Sequence, residues 1–165
     1  MQLPRFIAPE FENKICEPLL LGTKIKSLPR PIVFSNGCFD LLHRGHVTYL
    51  AQARGLGKSL IIATNSDESI KQQNKGDNRP IVPLGDRVSL LAALESVSLV
   101  TWFNEKTPFE IIKNVQPDIL VKGGDWKPDD IVGADFVKER GGTVFSIPIM
   151  YQRSTSSLIK NIRKK

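Results

Sequence analysis

From residue 31 onward, short apolar runs rich in β-branched residues alternate with segments of helical spacing, and this alternation restricts the fold more than any other feature. Pro31–Asn36 (PIVFSN), Ser59–Thr64 (SLIIAT), Leu99–Phe103, Asp118–Val121 (DILV) and Thr143–Ile147 read as strands. Between them, His43–Leu56 places Val47, Leu50, Ala51 and Ala53 at helical spacing, and Leu84–Val97 does the same with Val88, Leu91, Ala92 and Leu94. Thr107–Val115 opens with a Thr-Pro helix start, Lys127–Gly141 reads as a loop and a helix, and Ser154–Arg163 as a final helix. Ser66–Pro83 is polar and reads as a long loop around a short helix. The pattern predicts an α/β fold: a Rossmann-like, five-stranded parallel sheet with helices on both faces and right-handed crossovers. Such sheets bind ligands beyond the C-terminal ends of their strands, so the residues that follow each strand are where chemistry is sought.

The 165 residues suit one domain. Residues 1–30 differ from the rest: prolines at 4, 9, 18 and 29 punctuate them, and one short helix fits between Glu10 and Lys26. They read as an N-terminal extension packed on a domain of residues 31–165, or as a dimerisation element. Their apolar residues Phe6, Ile7, Phe11, Ile15 and Leu19–Leu21 need cover, which makes a homo-oligomer the expectation.

The net charge of +6 raises the question of nucleic acid. Its location argues against that: residues 31–152 carry thirteen basic and fourteen acidic residues, whereas Arg153, Lys160, Arg163, Lys164 and Lys165 form an acid-free C-terminal segment. Basic and aromatic residues are not interleaved, so no nucleic-acid partner is expected. Two cysteines, Cys16 and Cys38, make neither a disulfide framework nor a four-cysteine zinc site. Apolar runs such as Leu60–Ala63 are far too short for a membrane span, and the N-terminus has no apolar leader core. A cytoplasmic protein with small-molecule substrates and no membrane partner is the expectation.

The segment from Ser35 to His46 leaves the first strand and enters the first long helix, and it holds both histidines of the chain. His43 and His46 are three apart and share a helical face. Gly37 allows a tight exit from the strand, and Gly45 allows close approach of the backbone. Helix-opening amides beside two imidazoles make an anion cradle. A metal site from Cys38, Asp40, His43 and His46 is the rival, but a single soft ligand is a poor zinc set. No separate histidine remains to activate Cys38 as a nucleophile. Lys75 and Arg79 could equally be a solvated loop, Arg87 could pair with Asp86 or Glu95, and Ser154–Ser157 could be only an N-cap.

Asn36–Leu50 is similar to the HxGH signature of the cytidylyltransferase-like nucleotidyltransferase superfamily. Lys75–Arg87 (KGDNRPIVPLGDR) resembles the KGxxRPxxPxxxR stretch of bacterial heptose-1-phosphate adenylyltransferases, as do Leu120–Trp126 (LVKGGDW) and Ser154–Lys160 (STSSLIK). The motifs run in order over about residues 31–163, and four in register are a specific signal. That family occurs free and fused to a sugar kinase; with no kinase half visible, this chain resembles the free form.

The resemblance implies transfer of an adenylyl group from ATP, with Mg²⁺, to a heptose 1-phosphate, for lipopolysaccharide inner-core synthesis. It implies catalytic roles for His43, His46, Lys75 and Arg87. The nucleotide would be held by Gly37, Cys38, Phe39, Asp40, Gly45, Lys122, Gly123, Gly124, Ser154, Thr155 and Ser156. The other substrate would meet Asn65, Asp67, Arg79, Asp125 and Trp126. No protein metal ligand is assigned, because Mg²⁺ keeps several waters and rides on phosphate oxygens. The alternatives are a cytidylyltransferase acting on glycerol 3-phosphate or a related alcohol phosphate, and a non-catalytic nucleotide-binding module.

Overall fold

The structure, a computed structural model, describes residues 8–73 and 79–151. Five strands, β1 (Ile32–Gly37), β2 (Ser59–Asn65), β3 (Leu99–Phe103), β4 (Ile119–Gly123) and β5 (Thr143–Ile147), form one sheet in the order β3-β2-β1-β4-β5. All neighbours run parallel. Val33 on β1 lies between Leu60 on β2 and Ile119 on β4. The chain winds outward from β1 in one direction and then in the other, so a crevice opens between the C-terminal ends of β1 and β4.

The strands are buried because helices cover both faces of the sheet. On one face Phe34, Ile61 and Leu120 pack with Leu21 and Ile25 of α1 (Leu21–Ile25), Ile112 of α5 (Phe109–Val115) and Val137 of α6 (Ala134–Glu139). On the other, Val33, Leu60, Ile62 and Val121 pack with Leu50 of α2 (Arg44–Arg54) and Leu91 of α4 (Leu84–Ala92). Strand side chains alternate between faces, so Asn36 and Lys122 lie on the α5–α6 side while Gly37 and Gly123 lie on the α2 side. Glycine is required at Gly133, where φ is +86° and a Cβ would stand 2.9 Å from Ile112.

The elements depart from the sequence reading mainly at their ends. The helix expected over Leu84–Val97 stops at Ala92, and tighter turns, Leu94 N–H to Leu91 C=O and Val97 N–H to Leu94 C=O, carry the chain to β3. Residues 66–83 contain the short α3 (Asp67–Lys71), capped by the Ser66 hydroxyl. The final helix expected over Ser154–Arg163 lies outside the described residues. Glu10–Lys26 forms two 3-10 turns, Glu10–Lys14 and Pro18–Leu20, followed by α1, in place of one helix. Pro18 has no N–H to continue a helix and restarts the chain. Cys16 N–H donates to Val100 C=O at 2.8 Å and covers part of the outer edge of β3. Among the described residues, no helix is long and apolar enough to cross a membrane.

Candidate active site

The site is built where β1 turns into α2. At Gly37 a Cβ would approach the Phe39 ring to 3.1 Å. Phe39 itself takes φ +46°, a conformation that costs a non-glycine residue about 1 kcal/mol, and this turns its ring into the core. His43 is the extended N-cap of α2, and its carbonyl accepts the His46 N–H at 2.9 Å. The two imidazoles stack with centroids 3.9 Å apart and planes 24° from parallel. Phe39 and Tyr49 meet the His46 ring edge-on from below, at 5.4 and 6.4 Å. A Cβ on Gly45 would stand 2.7 Å from Ile149 and 3.0 Å from the His43 ring, so only glycine leaves His43 in place.

Burial, and secondarily the neighbouring His43, push His46 down to about 4, so it is neutral at pH 7. Its Nδ1 is buried and has no hydrogen-bond partner among the described residues. A buried polar atom left in this way is costly unless a ligand satisfies it. Together with the first amides of α2, which no described side chain caps, the pair forms a receptor for an anion. No group of three or more His, Cys, Asp or Glu that could hold a metal ion occurs among the described residues.

The second wall comes from residues 79–87. Asp40, 2% exposed, accepts the N–H groups of Ile81 (2.8 Å) and Val82 (2.9 Å) at Oδ1. Its Oδ2 lies 2.5 Å from Arg79 Nε. Asp40 therefore holds this segment against the site and orients Arg79.

Arg87 departs from the catalytic role that the resemblance implies. Its side chain is fully buried and hydrogen-bonded within the protein: Nε donates to Val82 C=O, Nη1 to Cys38 C=O, Thr64 Oγ1 and Asn65 C=O, and Nη2 to Asp67 Oδ1 at 2.6 Å. It pairs with Asp67 from α3 and not with Asp86 of its own helix or with Glu95, which lies beyond the helix end. Asp67, expected at substrate, is engaged by Arg87 and by the Leu84 N–H. Asn65 is also taken up internally, donating to Ser69 Oγ at 2.9 Å. Cys38 is half-buried, and its thiol approaches Gln73 Oε1 (3.4 Å) and Asn65 Oδ1 (3.6 Å).

Across the crevice, Lys122 Nζ donates to the carbonyl (3.1 Å) and side-chain oxygen (3.4 Å) of Asn36 and lies 6.0 Å from the centre of the Trp126 ring. Gly123 packs on Tyr49, whose ring a Cβ would approach to 3.1 Å. Gly124 takes φ +117° and donates to Ile147 C=O. Asp125 and Trp126 are exposed on the loop beyond β4. Lys75, Ser154, Thr155 and Ser156 lie outside the described residues. Two contributors were not singled out from sequence: Tyr49, three residues after His46 on the same face, and Asn36, a polar residue ending an apolar strand.

Known proteins resemble this chain in sequence and in fold. The cytidylyltransferase-like family model matches residues 34–161. A D-beta-D-heptose 1-phosphate adenylyltransferase from Bordetella bronchiseptica is 47% identical over 156 residues, covering 93% of this chain and 96% of that protein. The bifunctional protein HldE of Hydrogenovibrio crunogenus is 50% identical over 133 residues, which are 81% of this chain and 28% of that longer protein. Among solved structures, a lipopolysaccharide core biosynthesis protein from Thermoplasma volcanium superposes with a TM-score of 0.60 at 28% identity, over 74% of this chain and 98% of that one. A pantoate-beta-alanine ligase from Francisella tularensis shares the fold at 17% identity, with a TM-score of 0.60 over 89% of this chain and 72% of that one.

Proposed function

The chain belongs to the cytidylyltransferase-like family, and from that membership we propose that it is a nucleotidyltransferase joining ATP to D-glycero-β-D-manno-heptose 1-phosphate. The products are ADP-heptose and pyrophosphate, which places the enzyme in the supply of activated heptose to the lipopolysaccharide inner core. The substrate assignment follows the relative that matches over nearly the full length of both chains. The observation that carries the chemistry is the stacked His43–His46 pair at the head of α2, with His46 Nδ1 buried and unpartnered among the described residues.

An oxygen of the sugar phosphate attacks the α-phosphorus in line. The bond from the α-phosphorus to the bridging oxygen breaks, and its electron pair leaves with pyrophosphate. The attacking oxygen is already anionic, so no strong base is required, and the work is alignment and charge stabilisation. His46 and His43 receive the triphosphate at the opening of α2. A polyanion beside His46 favours its protonated form, so binding draws a proton onto the ring where negative charge develops. Arg79, aimed by Asp40, neutralises phosphate from the opposite wall. Lys75 and the Ser154, Thr155 and Ser156 segment serve the same polyanion in this reading. Mg²⁺ would arrive with ATP on its phosphate oxygens and would supply charge neutralisation there, since Asp40 and Asp67 are engaged within the protein and Mg²⁺ needs few protein ligands. The homo-oligomer expectation is retained on narrower ground, since of residues 8–30 only Leu19 and Leu20 are large apolar side chains left exposed.

Pyrophosphate release from the purified protein tests the reading, with ATP or CTP offered against heptose 1-phosphate or glycerol 3-phosphate. Turnover is expected with ATP and heptose 1-phosphate and is abolished by excess chelator. Preference for CTP and glycerol 3-phosphate would replace the substrate assignment, and no release with any pair would leave a nucleotide-binding module.

A further inference from the structure

Tyr49 lies against the imidazole pair, and neither the resemblance nor the chemistry above gives it a role. It is 4% exposed, among the apolar residues packed between α2 and the sheet. Helical side chains lean toward the N-terminus of their helix, so a residue three after His46 lies over the turn that carries it. The two rings meet edge-on, with centroids 6.4 Å apart and planes at 62°. The same Tyr49 ring lies against β4 at Gly123, where a Cβ would stand 3.1 Å from two of its carbons. Glycine at 123 therefore lets the backbone of β4 support the ring closely. Burial pushes the Tyr49 hydroxyl further above its ordinary range, so it stays neutral and supplies no base. It reaches Ser35 Oγ on β1 at 3.4 Å, longer than an ordinary O–H···O bond, so the packing of the ring holds this side chain more than its hydroxyl does.

An imidazole that works on a ligand is ordinarily aimed by a hydrogen bond at its second nitrogen. His46 Nδ1 is buried and has no partner among the described residues, so no protein hydrogen bond at that atom aims the ring. Packing holds it instead: His43 stacks on it, and Phe39 and Tyr49 meet it edge-on. His43 belongs to the anion receptor itself, and Phe39 sits on the turn before α2. Tyr49 is rooted within α2 and supported by a strand. We propose that Tyr49 is a positioning residue for nucleotidyl transfer: its ring, set against both His46 and Gly123, holds the imidazole at the angle at which it meets the transferring phosphate. The proposal rests on the adenylyltransferase reading above. A misplacement of about 1 Å at a reacting group can cost about 10²-fold in rate. Methionine at position 49 would fill much of the same space as a flexible chain, keeping the core while losing the rigid plate.

The test is a double-mutant cycle in steady-state kinetics on the full chain, with both substrates varied. The variants are Tyr49→Met, Tyr49→Phe, His46→Ala, and His46→Ala combined with Tyr49→Met, and a thermal melt verifies that each folds. Tyr49→Met is expected to lower kcat about tenfold or more and to leave the KM for ATP and for heptose 1-phosphate within about threefold. Tyr49→Phe, which keeps the ring, is expected to restore kcat to within about threefold of the parent. In the His46→Ala background, Tyr49→Met is expected to cost no more than about a further twofold, because the group it positions is gone. A further loss in that background as large as in the parent would show Tyr49 acting other than through His46 and would overturn the proposal. Parent-like kcat in Tyr49→Met would overturn it too, as would a loss in Tyr49→Phe equal to that in Tyr49→Met. Should Tyr49→Met melt below the assay temperature, Tyr49→Leu takes its place with the same expectations. A parent that forms no ADP-heptose would instead overturn the reading on which the proposal rests.

Discussion

His46 carries the most chemistry per atom in this protein, and its protonation can be followed in two independent ways. Replacing it with alanine removes a donor to developing phosphate charge. By analogy with other donors to a transition-state oxyanion, turnover is expected to fall about 10²- to 10³-fold, with the far-ultraviolet dichroism unchanged. The second handle is stability. The unfolded chain binds a proton on this ring below about pH 6.5, whereas the folded protein resists it until about pH 4. Between those values the unfolded state holds more protons, so stability rises with pH across the window and is lost as pH falls through it. The full shift corresponds to at most about 3 kcal/mol. His46→Gln should therefore flatten the acid limb of a plot of denaturation midpoint against pH between 4 and 6.5; an unchanged slope there would remove the burial account of this ring. His43, Gly45 and His46 could be read from sequence because they sit within four residues at one strand-to-helix joint. Arg87 could not. Whether a guanidinium faces water or the interior depends on Cys38, Thr64 and Asp67, which lie 20 to 49 residues away along the chain.

At the scale of elements, the segment from Arg79 to the head of α4 is held at two points by opposite charges. Asp40 grips the amides of Ile81 and Val82, and Arg87 grips the Val82 carbonyl while bridging the ends of β1, β2 and α3. Lysine at position 87 would keep the charge but lose the planar fork that serves these oxygens together. Arg87→Lys is expected to cost about 1–3 kcal/mol, the range for leaving buried acceptors unpaired, read as a lower urea midpoint. Arg79→Ala is expected instead to raise the KM for ATP and to lessen its dependence on salt, because one ionic contact to the polyanion is gone. If Arg87→Lys left stability intact while reducing turnover alone, Arg87 would return to the catalytic role that the resemblance implies. The strands were legible because buried parallel strands are continuous apolar runs. The end of α4 was not, since Leu94 and Val97 continue the helical spacing while their backbones have already tightened into turns. The apolar pattern records burial, which both conformations share.

At the scale of the whole molecule, the parallel order β3-β2-β1-β4-β5 places the crevice beside the strand that leads into the imidazole-bearing helix, and residues 8–30 add to the core of the fold. The prolines of residues 1–30 signalled an irregular path, but they gave no sign that the path enters the main core. Cys16, Leu21 and Ile25 are all buried there among Phe34, Ile61, Leu99 and Ile112. Covering their apolar surface is worth about 1.5–3 kcal/mol for each large side chain. Two such residues, with the exposed edge of β3, already approach the roughly 5–15 kcal/mol that holds an ordinary domain together. A chain beginning at residue 31 is therefore expected to be insoluble or unfolded. Leu21→Ala within the full chain is expected to lose about 2–5 kcal/mol and remain folded. Leu19 and Leu20 give the contrast. They are 94% and 55% exposed, so changing both to serine should leave the denaturation midpoint of the isolated chain almost unmoved. A fall in sedimentation coefficient on that double change would show that a second copy covers them. A soluble, active protein starting at residue 31 would instead show that the N-terminal residues are an appendage, because a core that keeps its catalytic geometry without Leu21 and Ile25 does not depend on them.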